Sequence, residues 1–499
     1  MREPAITRRQ ALSAVAGGAL ALSLSACGKW ARARATASGS TLRSTWRDQT
    51  GSGVLRPGPG LPLIDRTELA PRAAHSAVLA TLAHVTDAHV LDAQSPARVP
   101  FLARLGTPFS STFRPQETLT AQVLAGAIRA IDALAPDAVI EGGDLIDNAQ
   151  LNELGWALAT IRGGTVEPNS GGAGYYGVQS ASDPEPFYYR PDVDAPRHPG
   201  LLARATARFR ASGLARTPWY PVLGDHDLLL QGVVVPSPLT AAIALGSRAV
   251  WELPSGLEAP VGAVAAAPDG LAQAAPIQGL IEQLLSAPAV TVTPDEARRE
   301  LGAQEMLAQL RAASAIRGAG GPLLDYSFDV GERVRAIVLD LVRREGGSGG
   351  LVHPSQTRWL EHELARAGRR WVLLFSHQPL TSSAGGTALL DVLDRHPRVL
   401  AAVWGHTHRN RIVPRASRSG GYWLISTASL IDYPQQARAL QVVATEGGGV
   451  ALRTWLLDHV GELGEISREL AYIDAQGGRP QGFLGTRLDG NVTLYRRGA

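Results

Sequence analysis

Five short apolar runs in this chain each stop at a turn that carries an acid or an imidazole, and this recurrence limits the fold more than any other feature. Residues 78–85 run into Thr86-Asp87-Ala88-His89, and residues 138–140 into Glu141-Gly142-Gly143-Asp144-Leu145-Ile146-Asp147-Asn148. Tyr220-Pro221-Val222-Leu223 runs into Gly224-Asp225-His226-Asp227, residues 371–375 into Ser376-His377-Gln378-Pro379, and residues 399–404 into Gly405-His406-Thr407-His408. Short unbroken apolar runs read as strands buried on both faces. Between them, apolar residues recur at helical spacing (Leu119, Val123, Leu124, Ile128, Ile131 and Leu134 within 115–135), and helices are also expected over 201–211, 355–367 and 388–393. Residues 334–339, 422–426, 439–444 and 450–456 read as further strands. The pattern predicts an α/β domain with a mixed sheet or two stacked sheets, its chemistry gathered where strands end.

Composition excludes several kinds of chemistry. Lys29 is the only lysine, so a phosphate-cradling Walker loop and Schiff-base catalysis have no amine to use. Cys27 is the only cysteine, which excludes an intrachain disulfide and a cysteine-ligated zinc site. With 45% hydrophobic and 19% charged residues, most of the 499-residue chain should be globular. A net charge of +3 with no long Lys/Arg block gives no sign of a nucleic-acid surface. Catalysis must therefore come from His, Asp, Glu, Asn, Ser, Arg or a metal.

The N-terminus reads Thr7-Arg8-Arg9-Gln10-Ala11-Leu12, then a short apolar segment over 14–24, then Ser25-Ala26-Cys27. Paired arginines before a short apolar region resemble a twin-arginine export signal, and Leu24-Ser25-Ala26-Cys27 resembles a lipobox that would acylate Cys27. The alternative is a plain signal cleaved nearby. Residues 28–71, rich in Ser, Thr, Gly, Pro and Arg, read as a tether followed by a peripheral arm. Residues 165–199 read as a long ordered loop, and residues 230–325 as a long insertion that forms either a cap over the site or a peripheral subdomain. The catalytic domain is expected over 72–460, with insertions at 149–200 and 230–325 and a C-terminal extension over 461–499.

The acids and imidazoles at the five strand ends are more than a packed core would hold. Carboxylates mixed with imidazoles suit Mn, Fe, Zn or Co better than Mg or Ca, and so many donors suit two divalent ions better than one.

In order, these turns resemble the DxH, GDxxD, GNH[DE], H and GHxH motifs of the calcineurin-like metallophosphoesterases. The longer context (Phe113-Arg114-Pro115-Gln116-Glu117, Gly177-Val178-Gln179 and Asp432-Tyr433-Pro434-Gln435-Gln436) resembles an exported bacterial subfamily. The resemblance implies a four-layer α/β/β/α sandwich with long insertions and a dimetal phosphomonoesterase or phosphodiesterase that uses a metal-held hydroxide. It implies that Asp87, His89 and His408 hold one ion and Asp225, His377 and His406 the other, with Asp144 bridging. His226 would act on the leaving group, with Asp147 orienting it. Asp147 and Asp227 could instead be turn caps, which is the preferred reading for Asp227.

The pattern departs from the family at Asp225, where an asparagine is usual, so the site would carry an extra negative charge. Arg409 and Asn410 are candidate contacts for a substrate phosphate. His75, His84, His198, His353, His362, His396 and His459 read as surface or packing residues. The expected partners are a phosphate-ester substrate and, through the Cys27 lipid alone, the outer face of a bacterial cytoplasmic membrane. The rival reading is a non-catalytic metal-binding envelope protein that retains the fold.

Overall fold

The computed structural model describes residues 37–498 apart from 107–108, 184, 253–255, 257–259, 267–270, 285–286, 319–321 and 475–482. The expected export signal, Cys27 and the start of the tether lie outside the described residues.

Thirteen strands build two large sheets. In chain order they are β1 (Ile64–Arg66), β2 (His75–Val85), β3 (Ala138–Glu141), β4 (Trp219–Pro221), β5 (Tyr326–Val330), β6 (Val334–Leu339) and β7 (Trp371–Ser376). They continue with β8 (Val399–Trp404), β9 (Arg411–Arg415), β10 (Tyr422–Ser426), β11 (Gln436–Thr445), β12 (Val450–Asp458) and β13 (Val492–Arg496). The seven-stranded sheet has the order β1-β13-β12-β11-β2-β3-β4, and the six-stranded sheet the order β5-β6-β7-β8-β10-β9. β2, β3 and β4 run parallel to one another, as do β6, β7, β8 and β10, so their C-terminal ends emerge on common edges.

Side-chain alternation explains the layering. In β6, Ala336 and Val338 enter the core between the sheets, and Ile337 and Leu339 enter a second core. In β7, Leu373 and Phe375 share the first core, and Val372 and Leu374 the second. The second core is closed by Leu360 and Leu364 of the helix Pro354–Ala367 and by Leu389 and Leu393 of the helix Gly386–Arg395. The opposite face of the seven-stranded sheet is covered by α1 (Thr120–Leu134), through Leu124, Ile128 and Ile131, and by α2 (Leu151–Arg162), through Leu154 and Ile161. The result is the α/β/β/α sandwich expected. Each fully buried Leu or Ile contributes about 1.5–3 kcal/mol.

Five expectations need correction. The region over 28–71 is more than a peripheral arm. Thr41 Oγ1 donates to Leu456 O, residues 44–47 and 56–59 pair as a ribbon, and β1 joins the sheet edge. The region over 461–499 is more than an extension, because β13 lies inside the sheet between β1 and β12. A helix over 201–211 stops at Ala205, and Phe209–Arg210 pairs with Thr165–Val166 instead. The insertion at 149–200 opens with α2, whose apolar face packs into the main core. Insertion 230–325 is divided: Met306, Leu307 and Leu310 pack into the main core, while Val264, Leu280 and Leu284 form a satellite core with Phe101, Leu102 and Phe109. No helix among the described residues is long and apolar enough to cross a membrane.

Candidate metal centre

The turns after β2, β3, β4, β7 and β8 converge at one edge of the sandwich. The first two are stitched together by Asp87 N donating to Gly143 O (2.9 Å), His89 N to Asp144 O (2.9 Å) and Val90 N to Leu145 O (3.0 Å). Asp227 ties in the third. Its carboxylate accepts from the backbone N–H groups of Gly224 (2.8 Å), Asp144 (3.1 Å), Leu145 (2.9 Å) and Ile146 (3.2 Å), so it caps two loops at once. These tight approaches require small residues. A Cβ on Gly143, whose φ is +92°, would stand 2.6 Å from His377 Nδ1.

The convergence forms two donor groups, Asp87/His89/His408 and Asp144/Asp225/His377/His406, each with its possible ligand atoms within 4.8 Å of one another. Asp144 faces both, with Oδ2 3.0 Å from His377 Nε2 and 3.8 Å from His89 Nε2. Asp225 Oδ1 lies 3.2 Å from both His377 Nε2 and His406 Nδ1, and Asp87 Oδ1 lies 3.2 Å from His408 Nε2. His89 Nε2 and His408 Nε2 are 3.3 Å apart.

Three features fit this nest to divalent cations. The donors are mixed carboxylate and imidazole. His377 Nε2 is buried between Asp144 Oδ2 (3.0 Å) and Asp225 Oδ1 (3.2 Å) but is not aligned to hydrogen-bond either, so the three atoms converge on a common point. Asp87, His89, Asp144, His406 and His408 all adopt left-handed backbone conformations, with φ of 53°, 43°, 52°, 60° and 55°. Each such non-glycine residue costs on the order of 1 kcal/mol or more, and strain of this kind concentrates at functional sites.

The outward-facing ring nitrogens are also held. His89 Nδ1 contacts Asp147 Oδ1 (2.9 Å), His377 Nδ1 contacts Gly142 O (2.9 Å) and His408 Nδ1 contacts Asp432 Oδ2 (2.6 Å). Asp432 is in turn forked by Arg114, with Nε 2.8 Å from Oδ1 and Nη2 3.2 Å from Oδ2. Such contacts fix the tautomer and orientation of a ligating imidazole. Sequence reasoning did not assign Asp432, Arg114 and Gln378 to the site. The signal was available in part, because Arg114 and Asp432 sit in the two longer-context motifs.

His226 stands at the rim, with its side chain 17% exposed. Its N–H donates to Asp144 Oδ1 (2.9 Å), and its Nδ1 lies 3.0 Å from Asp147 O and 3.1 Å from Asp147 Oδ1. Asp147 therefore holds both His89 and His226, as His89, Asp147 and His226 form a third close group. Gln231, also unassigned from sequence, donates through Nε2 to Asp147 Oδ2 (2.7 Å) and Asn148 Oδ1 (2.8 Å).

The charges are strongly coupled. Burial opposes a charged His226, but Asp144, Asp147 and Asp225 outweigh it and push the imidazole up to about 10. Burial also opposes a charged His408, which Asp87 and Asp432 raise to about 9. The Asp225 carboxyl, despite burial, is held well below the ordinary range by His406 and His377, and Asp147 likewise by His226 and His89. Cations bound at these oxygens and nitrogens would compete with those protons.

Arg409 is exposed beside His408, but Asn410 is buried and corrects an expectation. Its Oδ1 accepts from Ala428 N (3.1 Å) and Arg438 Nη2 (2.9 Å), and its Nδ2 reaches Gln436 Oε1 (3.3 Å). The chain turns inward there to begin β9, so the Asn410 side chain is engaged in cross-linking the two sheets. Of the remaining histidines, His84 bonds Thr427 Oγ1, His459 bonds Gln435 Oε1 and His198 pairs with Glu469, all consistent with packing roles.

No protein-family model matches the sequence, and no curated protein sequence matches it. Among solved structures, the chain is similar to a dimetal phosphatase from Danio rerio at 14% identity and a TM-score of 0.38, covering 77% of this chain and 100% of that one. It is also similar to the sulfate thiohydrolase SoxB of Thermus thermophilus at 14% identity and a TM-score of 0.29, covering 82% of this chain and 62% of that one. Likenesses this distant carry no functional argument, and the reading below rests on the geometry of the chain itself.

Proposed function

We propose that this chain is a dimetal-dependent hydrolase of phosphoric esters, a phosphomonoesterase or phosphodiesterase of the calcineurin-like kind. The observation that carries this reading is Asp144, one carboxylate placed between two separate Asp/His donor groups. Asp87, His89 and His408 would hold one divalent transition-metal ion and Asp225, His377 and His406 the other. When bound, two such ions supply Lewis-acid polarisation of the phosphoryl group and of water. Hydrolysis places the water oxygen on phosphorus, breaks one P–O bond and leaves a proton on the departing alcohol. His226 is suited to deliver that proton. Its Nδ1 is occupied by Asp147, which leaves Nε2 for the leaving oxygen. Exposed Arg409, next in the chain to His408, would meet a phosphate oxygen. Twin-arginine export and a lipid on Cys27 would put the enzyme on the outer face of a bacterial cytoplasmic membrane.

Metal analysis of the purified protein, combined with turnover of p-nitrophenyl and bis-p-nitrophenyl phosphate, tests the proposal. Two ions per chain are expected, together with a roughly 10²–10⁴-fold drop in kcat for His226→Ala. A metal-replete protein inert on every ester tried would favour the non-catalytic envelope role.

A further inference from the structure

The turn that follows the His226 segment has two faces. On one, Gly232 (φ +68°) lies directly against the site: a Cβ there would stand 2.5 Å from Asp225 Oδ2 and 2.6 Å from His226 Nε2. On the other, Leu230, Gln231, Val233 and Val234 wall a cavity of about 420 Å³. This volume falls within the range of about 300–1,000 Å³ common to small-molecule sites.

The remaining walls are mostly apolar and come from residues 96–102 and 109–112 and from side chains between Leu239 and Leu284. Leu102, Phe109, Leu239, Ile243, Val264 and Leu280 line the cavity. The larger polar groups that reach it are mostly engaged: Arg248 Nη2 donates to Ala287 O (2.6 Å), while the buried Arg98 Nε has no partner. Arg98 is forked onto Glu117, with N–O separations of 2.5 and 2.8 Å, Gln231 donates to Asp147 and Asn148, and Thr240 bonds Glu300. A sugar or nucleobase placed here would leave its own polar groups unpaired, at about 1–3 kcal/mol for each. A hydrocarbon chain has no such groups to satisfy.

We infer that this cavity binds the alkyl or acyl chain of an amphiphilic phosphate ester whose phosphoryl group sits in the Asp/His nest, an inference that rests on the phosphoesterase reading above. The turn from Leu230 to Val234 is the lip between head and tail. Gly232 has no side chain to separate the two compartments. Insertion 230–325 is then neither a passive subdomain nor only a cap, because its Leu239, Ile243, Val264 and Leu280 wall the tail site.

The test uses the full, metal-replete chain and p-nitrophenyl phosphodiesters whose second ester group is methyl, butyl, octyl or dodecyl. Binding of methylphosphonate and of dodecylphosphonate, below its micelle concentration, is measured in parallel by titration calorimetry. KM should fall roughly three- to fourfold per added methylene until the cavity is full, with kcat little changed. Dodecylphosphonate should bind at least about 100-fold tighter than methylphosphonate. Ile243→Trp and Leu239→Trp, two independent fillings of the cavity, should each collapse the dodecyl-to-methyl ratio, with circular dichroism reporting the fold. Equal KM values across a series that is turned over would overturn the inference and leave the phosphoesterase reading standing. A chain-length gain that survives in both folded tryptophan variants would place the chain elsewhere and also overturn it, as would tighter binding of adenosine monophosphate than of dodecylphosphonate. Chain-dependent binding lost in the tryptophan variants, with no turnover of any ester, would support the tail site and count against hydrolysis.

Discussion

Asp225 shows what one residue changes in this nest. Its Oδ1 receives Gln378 Nε2 at 3.0 Å and faces His377 Nε2 and His406 Nδ1, both at 3.2 Å. An asparagine oxygen could accept the same Gln378 hydrogen bond, so the geometry permits either residue, and the difference lies in charge. With Asp87 and Asp144, Asp225 makes three carboxylates around the expected ions. Asp225→Asn should fold normally and bind metal about tenfold or more weakly, since ligand charge tunes affinity. Removing a negative charge also favours deprotonation of neighbouring groups, so the pH at which activity rises should shift downward. Metal content after dialysis and a pH–rate profile check this. Unchanged values in both would mean that the carboxylate makes no functional difference. The candidate ligands were legible because each follows an apolar strand. Gln231, Gln378 and Asp432 were not, because a glutamine or aspartate in a loop shows its role only when its hydrogen-bond partner is seen.

At the scale of elements, the strands with unbroken apolar runs were legible to within a few residues: β6, β8 and β10 match their expected limits. The strands that escaped notice, β1, β5, β9 and β13, are each three to five residues long. β1 is three residues, Ile64–Arg66, in a Pro- and Arg-rich stretch, and β13 lies beyond the last motif. Both are too short for their pattern to stand out, and both depend on long-range pairing for their conformation. β13 nevertheless buries Val492 and Leu494 completely, pairs with β12 on one side and β1 on the other, and Arg496 reaches Ser419 O and Pro397 O. Removing residues 475–499 should therefore cost at least about 5 kcal/mol from side-chain burial and lost pairing, a large part of a typical stability of about 5–15 kcal/mol. The expected result is loss of soluble protein or a fall in Tm of about 5 °C or more by circular dichroism. A truncated chain that melts with the full one would make this segment a true extension.

At the scale of the whole molecule, burial raises carboxyl groups outside the metal nest, which gives the stability a pH dependence independent of metal. Burial raises Glu300, which bonds Thr240, from an ordinary 4.5 to about 7. Burial, opposed by hydrogen bonds from Asp340 N and Gln356 and reinforced by the Asp340 charge, raises Asp325 from 3.8 to about 7. Between the unfolded and folded values, the native state binds more protons than the unfolded chain at both positions. Stability therefore falls as pH rises through about 4 to 7 and carries the full loss above that range. The loss is at most about 3 kcal/mol for Glu300 and about 4 kcal/mol for Asp325. A Glu300→Gln/Asp325→Asn double variant should track the wild type near pH 4 and become progressively more stable than it up to about pH 7, with the gap level beyond. Urea unfolding at pH 4.5, 6 and 8 reads this directly. The two sites are in separate elements, at the end of the insertion and at the entry to β5, so their effects should add. Parallel curves for variant and wild type at all three pH values would show that neither carboxyl is protonated in the native state. In that case the pH response would belong to the metal nest alone.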